Sequence, residues 1–186
     1  MTGPKQDRAR HVALLRAVNV GGLKVAMADL AAVCDELGWT EVQTYANSGN
    51  VRVDTPAALE AGDVADQLGA ALSARYNRDL RVVVRSQDQL ADAAARCDAH
   101  RHPTDGPKAL HVGFCDSPPP PDAFEHADWD RVAPDRAEVS GRELLLRYPD
   151  GMGRSKMTVQ WLLRHIGRDR ILTVRSIAMV RTLSEL

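Results

Sequence analysis

The order of apolar patterns over residues 10–86 is the feature that most restricts how this chain can fold. Six segments with alternating strand and helix character follow one another: His11 to Asn19, Met27 to Leu37, Val42 to Ala46, Val51 to Val53, Ala57 to Tyr76 and Leu80 to Val84. Gly38 is placed to end the first helix, and residues 47–50 are turn-forming. The order β-α-β-β-α-β is typical of the split βαβ, or ferredoxin-like, fold. We therefore predict a four-stranded antiparallel sheet with both helices on one face.

The remaining residues predict a second small α+β lobe, on which the first lobe packs. A helix over Gln89 to Cys97 and a polar stretch make residues 87–107 a helix and linker, and residues 108–186 form the second lobe. The predicted order of elements in this lobe is loosely similar to that of the first lobe. The elements are a strand at Ala109 to Cys115, a short helix around Asp122 to His126, a hairpin around Ser140-Gly141, a helix over Met157 to Ile166 and a mostly helical tail. No residue-level repeat is visible.

Charge and cysteine content exclude several classes of protein. The 24 basic and 25 acidic side chains give a net charge of −1, so no global field favours nucleic acid or an anionic membrane. No uncharged apolar run reaches the roughly 18 residues of a membrane span, and no signal-peptide pattern precedes the first strand. Cys34, Cys97 and Cys115 are too far apart for a zinc ribbon and are odd in number, which predicts reduced core thiols and a cytoplasmic location. We expect no cofactor.

Strand alternation predicts an arginine-rich face on the first sheet. If Val51 and Val53 face the helices, then Arg52 lies on the opposite, open face, together with Arg81 and Arg85, and Arg16 interrupts the first strand. RNA-binding sheets of this type stack bases on aromatic side chains, and Tyr45 is the nearest candidate here. Nucleic acid is therefore not favoured as a partner, although it stays an alternative. The arginines could instead pair with carboxylates between the lobes.

Three short motifs carry weaker signals. Ser48 lies in a turn of residue types that do not form a nucleophile elbow, so a plain turn is the favoured interpretation. Asn19 and Gly22 belong to a glycine-containing segment that resembles half of a phosphate loop, for which a turn is again favoured. His100 and His102 lack the spacing of a metal site, and we predict no metal.

Residues 151–156 form the strongest local signal. Glycines precede Arg154, Ser155 and Lys156 at the expected start of a helix, where backbone N–H groups favour an anion. Two cations in the first turn would oppose the helix dipole by about 0.3–1 kcal/mol each, unless solvent, a carboxylate or a bound anion compensates them. The loop is therefore either an anion site, with Arg16 or Arg175 nearby, or a structural clasp.

Three segments of the chain resemble the signature stretches of a bacterial family of proteins of unknown function, DUF1697. They are LLRAVNVGG, TYANSGNV and YPDGMGRSK, which begin at Leu14, Thr44 and Tyr148. The resemblance implies a small cytosolic protein with a ferredoxin-like lobe and a second α+β lobe, and it implies no activity. Near the C-terminus the chain retains Thr173 and Arg175 of the family pattern but lacks the Asn-Trp-Asn that follows them.

The sequence leaves the function open between three hypotheses. The first is a binding protein or small enzyme for a phosphorylated or other anionic ligand held between the lobes. The second is a structural or interaction module whose arginines serve packing, and the third is nucleic-acid binding. The candidate ligand-binding residues are Arg16, Asn19, Gly22, Lys24, Tyr45, Ser48, Asn50, Arg52, Gly153, Arg154, Ser155, Lys156 and Arg175. Neither a catalytic residue nor the oligomeric state can be assigned.

Overall fold

The computed structural model describes residues 7–16 and 24–186, and these residues form two compact units. The first unit extends to Gln87 and also includes Leu186, and the second extends from Asp88 to Glu185. Each unit contains one four-stranded antiparallel sheet and its own helices. The protein is therefore α+β, as the sequence predicts. None of the described helices is long and apolar enough to span a lipid bilayer.

The first unit has the predicted split βαβ topology. Its elements in chain order are β1 (Arg8–Leu15), α1 (Met27–Glu36), β2 (Thr40–Tyr45), β3 (Asn50–Pro56), α2 (Ala61–Tyr76) and β4 (Val82–Arg85). The strands lie in the order β2-β3-β1-β4, and all neighbours are antiparallel. Gly38 has a φ of 75° and ends α1 as predicted. Helix α2 begins at Ala61 rather than Ala57, because Glu60 and Asp63 form a reciprocal capping box there.

The core of the first unit lies between one face of the sheet and both helices. Strand residues of one parity, such as Ala13, Val51 and Val84, form a continuous buried cluster with Leu30 of α1 and Leu68 of α2. The period of two in the strands and the 3.6-residue period in the helices thus bring the apolar side chains to one layer. This confirms that both helices cover the same face.

The second unit contains α3 and a second sheet with the same strand order. Its elements are α3 (Gln87–Ala99), which starts at the boundary, β5 (Leu110–Cys115), α4 (Trp129–Val132), β6 (Arg136–Ser140), β7 (Glu143–Arg147), a 3-10 helix (Met152–Arg154), α5 (Val159–Ile166), β8 (Leu172–Ser176) and α6 (Ile177–Ser184). The order β6-β7-β5-β8 is again antiparallel throughout. The amphipathic helix α5 packs on the face that carries Leu144 and Leu146.

Two sequence-based predictions differ from the structure of this unit. The mostly helical tail is wrong, because Leu172–Ser176 is strand β8, paired with β5. The short helix expected around Asp122 to His126 is a series of turns, and α4 forms later, capped by the side chain of Asp128. The helix predicted over Gln89 to Cys97 is α3, whose Arg96 donates hydrogen bonds to Ser140 of β6 and Glu143 of β7.

The two units repeat one topology, and the strand registers reveal residue equivalences that the sequence alone did not show. Val12 of β1 pairs with Arg85 of β4, and Val112 of β5 pairs with Arg175 of β8. Both valines follow a histidine, and both arginines precede a serine at the start of a helix. Each arginine therefore occupies the same position in its unit, on the last strand of the sheet.

Candidate functional site

The predicted ligand residues of the first unit do not converge on one described site. Asn19 and Gly22 lie outside the described residues, so their role stays a prediction. Arg16 follows the end of β1, where its N–H donates to the carbonyl of Arg81 at 2.9 Å. Lys24 lines a separate cavity of about 440 Å³ together with Asn47, next to α1.

The turn that holds Ser48 is fastened by Asn50. The buried Asn50 side chain donates to the Tyr45 carbonyl at 3.1 Å and to the Ser48 hydroxyl oxygen at 2.8 Å. Gly49 has a φ of 70°, which suits a residue without a side chain. These contacts favour the predicted turn and account for Tyr45, Ser48 and Asn50 as its structural members.

The face of the first sheet opposite α1 and α2 carries the predicted arginines, but it is not open. Arg52 and Arg85 flank Val12 on this face, as strand alternation predicts. Val12 and Leu14 are fully buried, and Arg85 is only 1 % exposed. The physical reason is that β1 is apolar at both parities, which is typical of a strand buried on both faces. The prediction that this arginine-rich face is exposed is therefore wrong for the residues at its centre.

Arg175 is likewise a buried strand residue. Its guanidinium donates to the Thr173 hydroxyl at 2.7 Å and to the Val174 carbonyl at 3.0 Å. Burial lowers the pKa of Arg175 to about 10, because the charged form loses its hydration there. Arg175 does not line the cavity beside Arg154 described below.

The loop at residues 151–156 does not begin a helix in the predicted way. Gly151 has a φ of 88° and is followed by the short 3-10 helix, whereas α5 begins only at Val159. The cap of α5 is Thr158, whose hydroxyl accepts a hydrogen bond from Trp161 N–H. The predicted conflict between two cations and the helix dipole is therefore wrong, since Arg154 and Lys156 precede the first turn and that turn carries no charge.

Arg154, Ser155 and Lys156 instead lie on the wall of a cavity of about 340 Å³ within the second unit. The rest of the wall comes from the segment before β6 and from the turn after β7: Val132, Ala133, Pro134, Asp135, Asp150 and Gly151. The Ser155 hydroxyl donates to Oδ2 of Asp135 and accepts from Met157 N–H at 2.8 Å. Ser155 thus ties the two segments together within the second unit.

The electrostatics of the cavity are unevenly balanced. Asp135 is only 5 % exposed, and burial raises its pKa; the hydrogen bond from Ser155 opposes this rise and the neighbouring Asp150 adds to it. Arg154 and Lys156 are exposed and form no ion pair with any residue that the structure describes. The two cations are therefore available to a negatively charged group in the cavity.

Asp135 is the residue of this site that sequence reasoning missed. It follows Pro134 in a loop, and its neighbours give no motif from which a role could be inferred. Its contact with Ser155 spans 20 residues of sequence and depends on the return of the chain through β6 and β7. No local signal could have revealed it.

The two histidines considered as metal ligands each contact a neighbouring side chain. His100 lies 3.2 Å from Glu138, and the ring of His102 contacts the Thr104 hydroxyl at 2.7 Å. The three cysteines of the chain, Cys34, Cys97 and Cys115, are buried thiols that form no disulfide in the described structure. Among the residues that the structure describes, no group of three or more His, Cys, Asp or Glu side chains is placed to hold a metal ion.

Comparison with known proteins gives a family and a fold. The model of a family described as protein of unknown function, DUF1697, matches residues 9–145. The conserved bacterial protein SP0830 from Streptococcus pneumoniae is similar in structure, with a TM-score of 0.66 and 17 % sequence identity over 96 % of this chain and 98 % of that one. At this identity the likeness supports the fold alone. No curated protein matches the chain.

Proposed function

The chain belongs to the DUF1697 family of proteins of unknown function, and we propose from its own geometry that it binds a small anionic ligand beside Arg154 and Lys156. The chemical group that this site suits best is a phosphate. Guanidinium and ammonium groups both form strong, charge-assisted hydrogen bonds with phosphate oxygens. The proposal concerns binding, and it names no reaction.

The observation that carries the proposal is the pair of cations on the wall of a cavity. Several arginines of the second unit have a carboxylate partner within that unit, among them Arg147 with Asp105 at 2.6 Å, Arg96 with Glu143 at 2.9 Å, and Arg181 with Asp98. Arg154 and Lys156 have no carboxylate partner among the described residues, and unlike these three arginines they line the cavity.

The site differs from the predicted one in the role of Ser155. Its hydroxyl group already donates to Asp135 and accepts from Met157 N–H. A bound phosphate would therefore be held by Arg154 and Lys156, with Ser155 fixing the loop that presents them. We also propose a cytoplasmic location, which the three buried cysteines support, since the described structure forms no disulfide from them.

Thermal unfolding with and without inorganic phosphate tests this proposal. A ligand at ten times its Kd stabilises the folded state by about 1.4 kcal/mol, which for a chain of this size raises Tm by about 3–6 °C. We expect this shift in the wild type and its loss in the Arg154→Ala, Lys156→Ala double variant. A matched control is the Arg164→Ala, Arg168→Ala double variant, which removes two exposed cations that do not line the cavity.

Two results would count against an anion site in this cavity. The first is an equal phosphate shift in the wild type and the Arg154, Lys156 variant, and the second is no shift in either at matched ionic strength. Retention of DNA or RNA with a steep dependence on salt would instead favour the nucleic-acid hypothesis.

A further inference from the structure

Asp135 presents an unused hydrogen-bond acceptor to the same cavity. Its Oδ2 accepts the hydroxyl of Ser155, whereas its Oδ1 has no hydrogen-bond donor among the residues that the structure describes. The Ser155 hydroxyl holds the side chain, and the backbone is held as well, because its N–H donates to the Val132 carbonyl at 3.0 Å and its carbonyl accepts from Arg136 at 2.7 Å. Asp135 is 5 % exposed and lines the cavity, so a molecule bound there lies beside a carboxylate in a defined position.

An inorganic phosphate ion matches the two cations of the cavity wall but not its two carboxylates. Arg154 and Lys156 attract a phosphate, but the carboxylates of Asp135 and Asp150 line the same cavity and repel it. A carboxylate only accepts hydrogen bonds, so its complementary ligand group is an O–H or N–H donor. The volume of about 340 Å³ also exceeds what a phosphate ion fills and lies at the lower end of the roughly 300–1,000 Å³ of small-molecule sites.

From these observations we propose that the ligand is a phosphorylated polyol or sugar, in which the phosphate contacts Arg154 and Lys156 and a neighbouring hydroxyl donates to Oδ1 of Asp135. This inference rests on the proposed function, since it needs an anion beside the two cations. It adds a second contact, at Oδ1 of Asp135, through which the protein would prefer a phosphate ester that carries a hydroxyl group to one that does not. The ligand hydroxyl satisfies this acceptor, whereas an alkyl group at the same place displaces water from it and leaves it without a partner.

Isothermal titration of the full chain with three probes tests the inference: glycerol 3-phosphate, propyl phosphate and inorganic phosphate. The first two carry the same phosphate on three-carbon chains and differ in the hydroxyl groups. We expect glycerol 3-phosphate to bind the wild type at least tenfold more tightly than propyl phosphate does. We expect Asp135→Asn, in which a neutral amide replaces the carboxylate, to reduce this preference to threefold or less.

Asp150→Asn is the matched control, because it removes the other carboxylate of the cavity wall. It should strengthen the binding of both organic phosphates by a similar factor and leave their ratio unchanged. If Asp135→Asn does not fold, as judged by circular dichroism, the comparison of probes on the wild type still decides the question.

The outcomes separate the two proposals. Equal affinities for glycerol 3-phosphate and propyl phosphate in the wild type would overturn the hydroxylated ligand and leave the anion site standing. The same conclusion follows if Asp135→Asn folds and keeps the full preference. If none of the three probes binds, the anion site itself is wrong and the inference falls with it.

Discussion

Substitution of Ser155 by alanine tests whether this serine fastens the cavity wall. The change removes the hydroxyl that donates to Asp135 and accepts from Met157 N–H at 2.8 Å. A hydrogen bond to a charged group contributes about 1.5–3 kcal/mol and a neutral one about 1 kcal/mol. Because Ser155 is half-buried, water can form some of the hydrogen bonds that the variant lacks. We therefore expect the free energy of unfolding to fall by about 2–3 kcal/mol.

Thr158→Ala provides the comparison for this prediction. Thr158 lies three residues further along the chain, and its exposed side chain makes one neutral hydrogen bond, from Trp161 N–H at 3.2 Å. Loss of such an N-cap costs about 1 kcal/mol. Urea unfolding of both variants, followed by tryptophan fluorescence, should therefore show a larger loss for Ser155→Ala.

An effect of Ser155→Ala no larger than that of Thr158→Ala would refute the fastening role. The double-mutant cycle of Ser155→Ala with Asp135→Asn sharpens this test, because it isolates the energy of the pair. We expect a coupling of about 1 kcal/mol or more for two side chains in direct contact. Additive effects would mean that the contact contributes nothing to stability.

Two further predictions concern charged groups. Burial raises the pKa of Asp135 above 3.8, so the wild type is most stable relative to Asp135→Asn below that pH and loses this stability as the pH rises through the folded-state pKa. From pH 3.5 to pH 7, the free energy of unfolding of Asp135→Asn, measured with urea, should therefore rise relative to that of the wild type. The same difference between the two proteins at both pH values would contradict this effect. Arg96→Met should lower the free energy of unfolding by about 2–3 kcal/mol, because it leaves the buried Glu143 carboxylate without its partner. This value is at the lower end for a buried ion pair, since the Glu143 side chain is 7 % exposed but that of Arg96 is 31 % exposed. Arg101→Met, which removes a surface pair, should cost at most about 1 kcal/mol in the same assay.

Periodicity was sufficient to predict the order of elements in the first unit, because several of them are bounded by a local signal. Gly38 ends α1, and the turn before Asn50 separates β2 from β3. The apolar residues on alternate positions of β3 then determine which face meets the helices. A one-residue error in register would have placed Arg52 in the core, so the pattern allowed little freedom.

Strand β8 was missed because no such boundary exists in its sequence. Ser176 ends the strand and Ile177 begins α6, so the chain changes from strand to helix without a glycine, a proline or a turn. A helical tail and a short edge strand give similar apolar patterns over this length. The repeated topology provides the missing signal, since Val174-Arg175-Ser176 matches Val84-Arg85-Ser86 at the end of β4.

The candidate site was only partly predictable for a related reason. The cations of residues 154–156 were identified from their local sequence, but the helix expected to start there begins at Val159. Serine and threonine both cap helices readily, and tertiary structure decides between them here: Ser155 contacts Asp135, whereas Thr158 caps α5. Contacts between distant segments of the chain have no signature in either segment alone.

A crystal structure of the protein grown with inorganic phosphate tests the anion site most directly. The account predicts an ordered phosphate in the cavity, with oxygens about 2.7–2.9 Å from the Arg154 guanidinium and the Lys156 ammonium group. The Arg154→Ala, Lys156→Ala variant crystallised under the same conditions should hold no anion there. A cavity that contains only water in the wild type, or a phosphate that remains in the variant, would contradict the account.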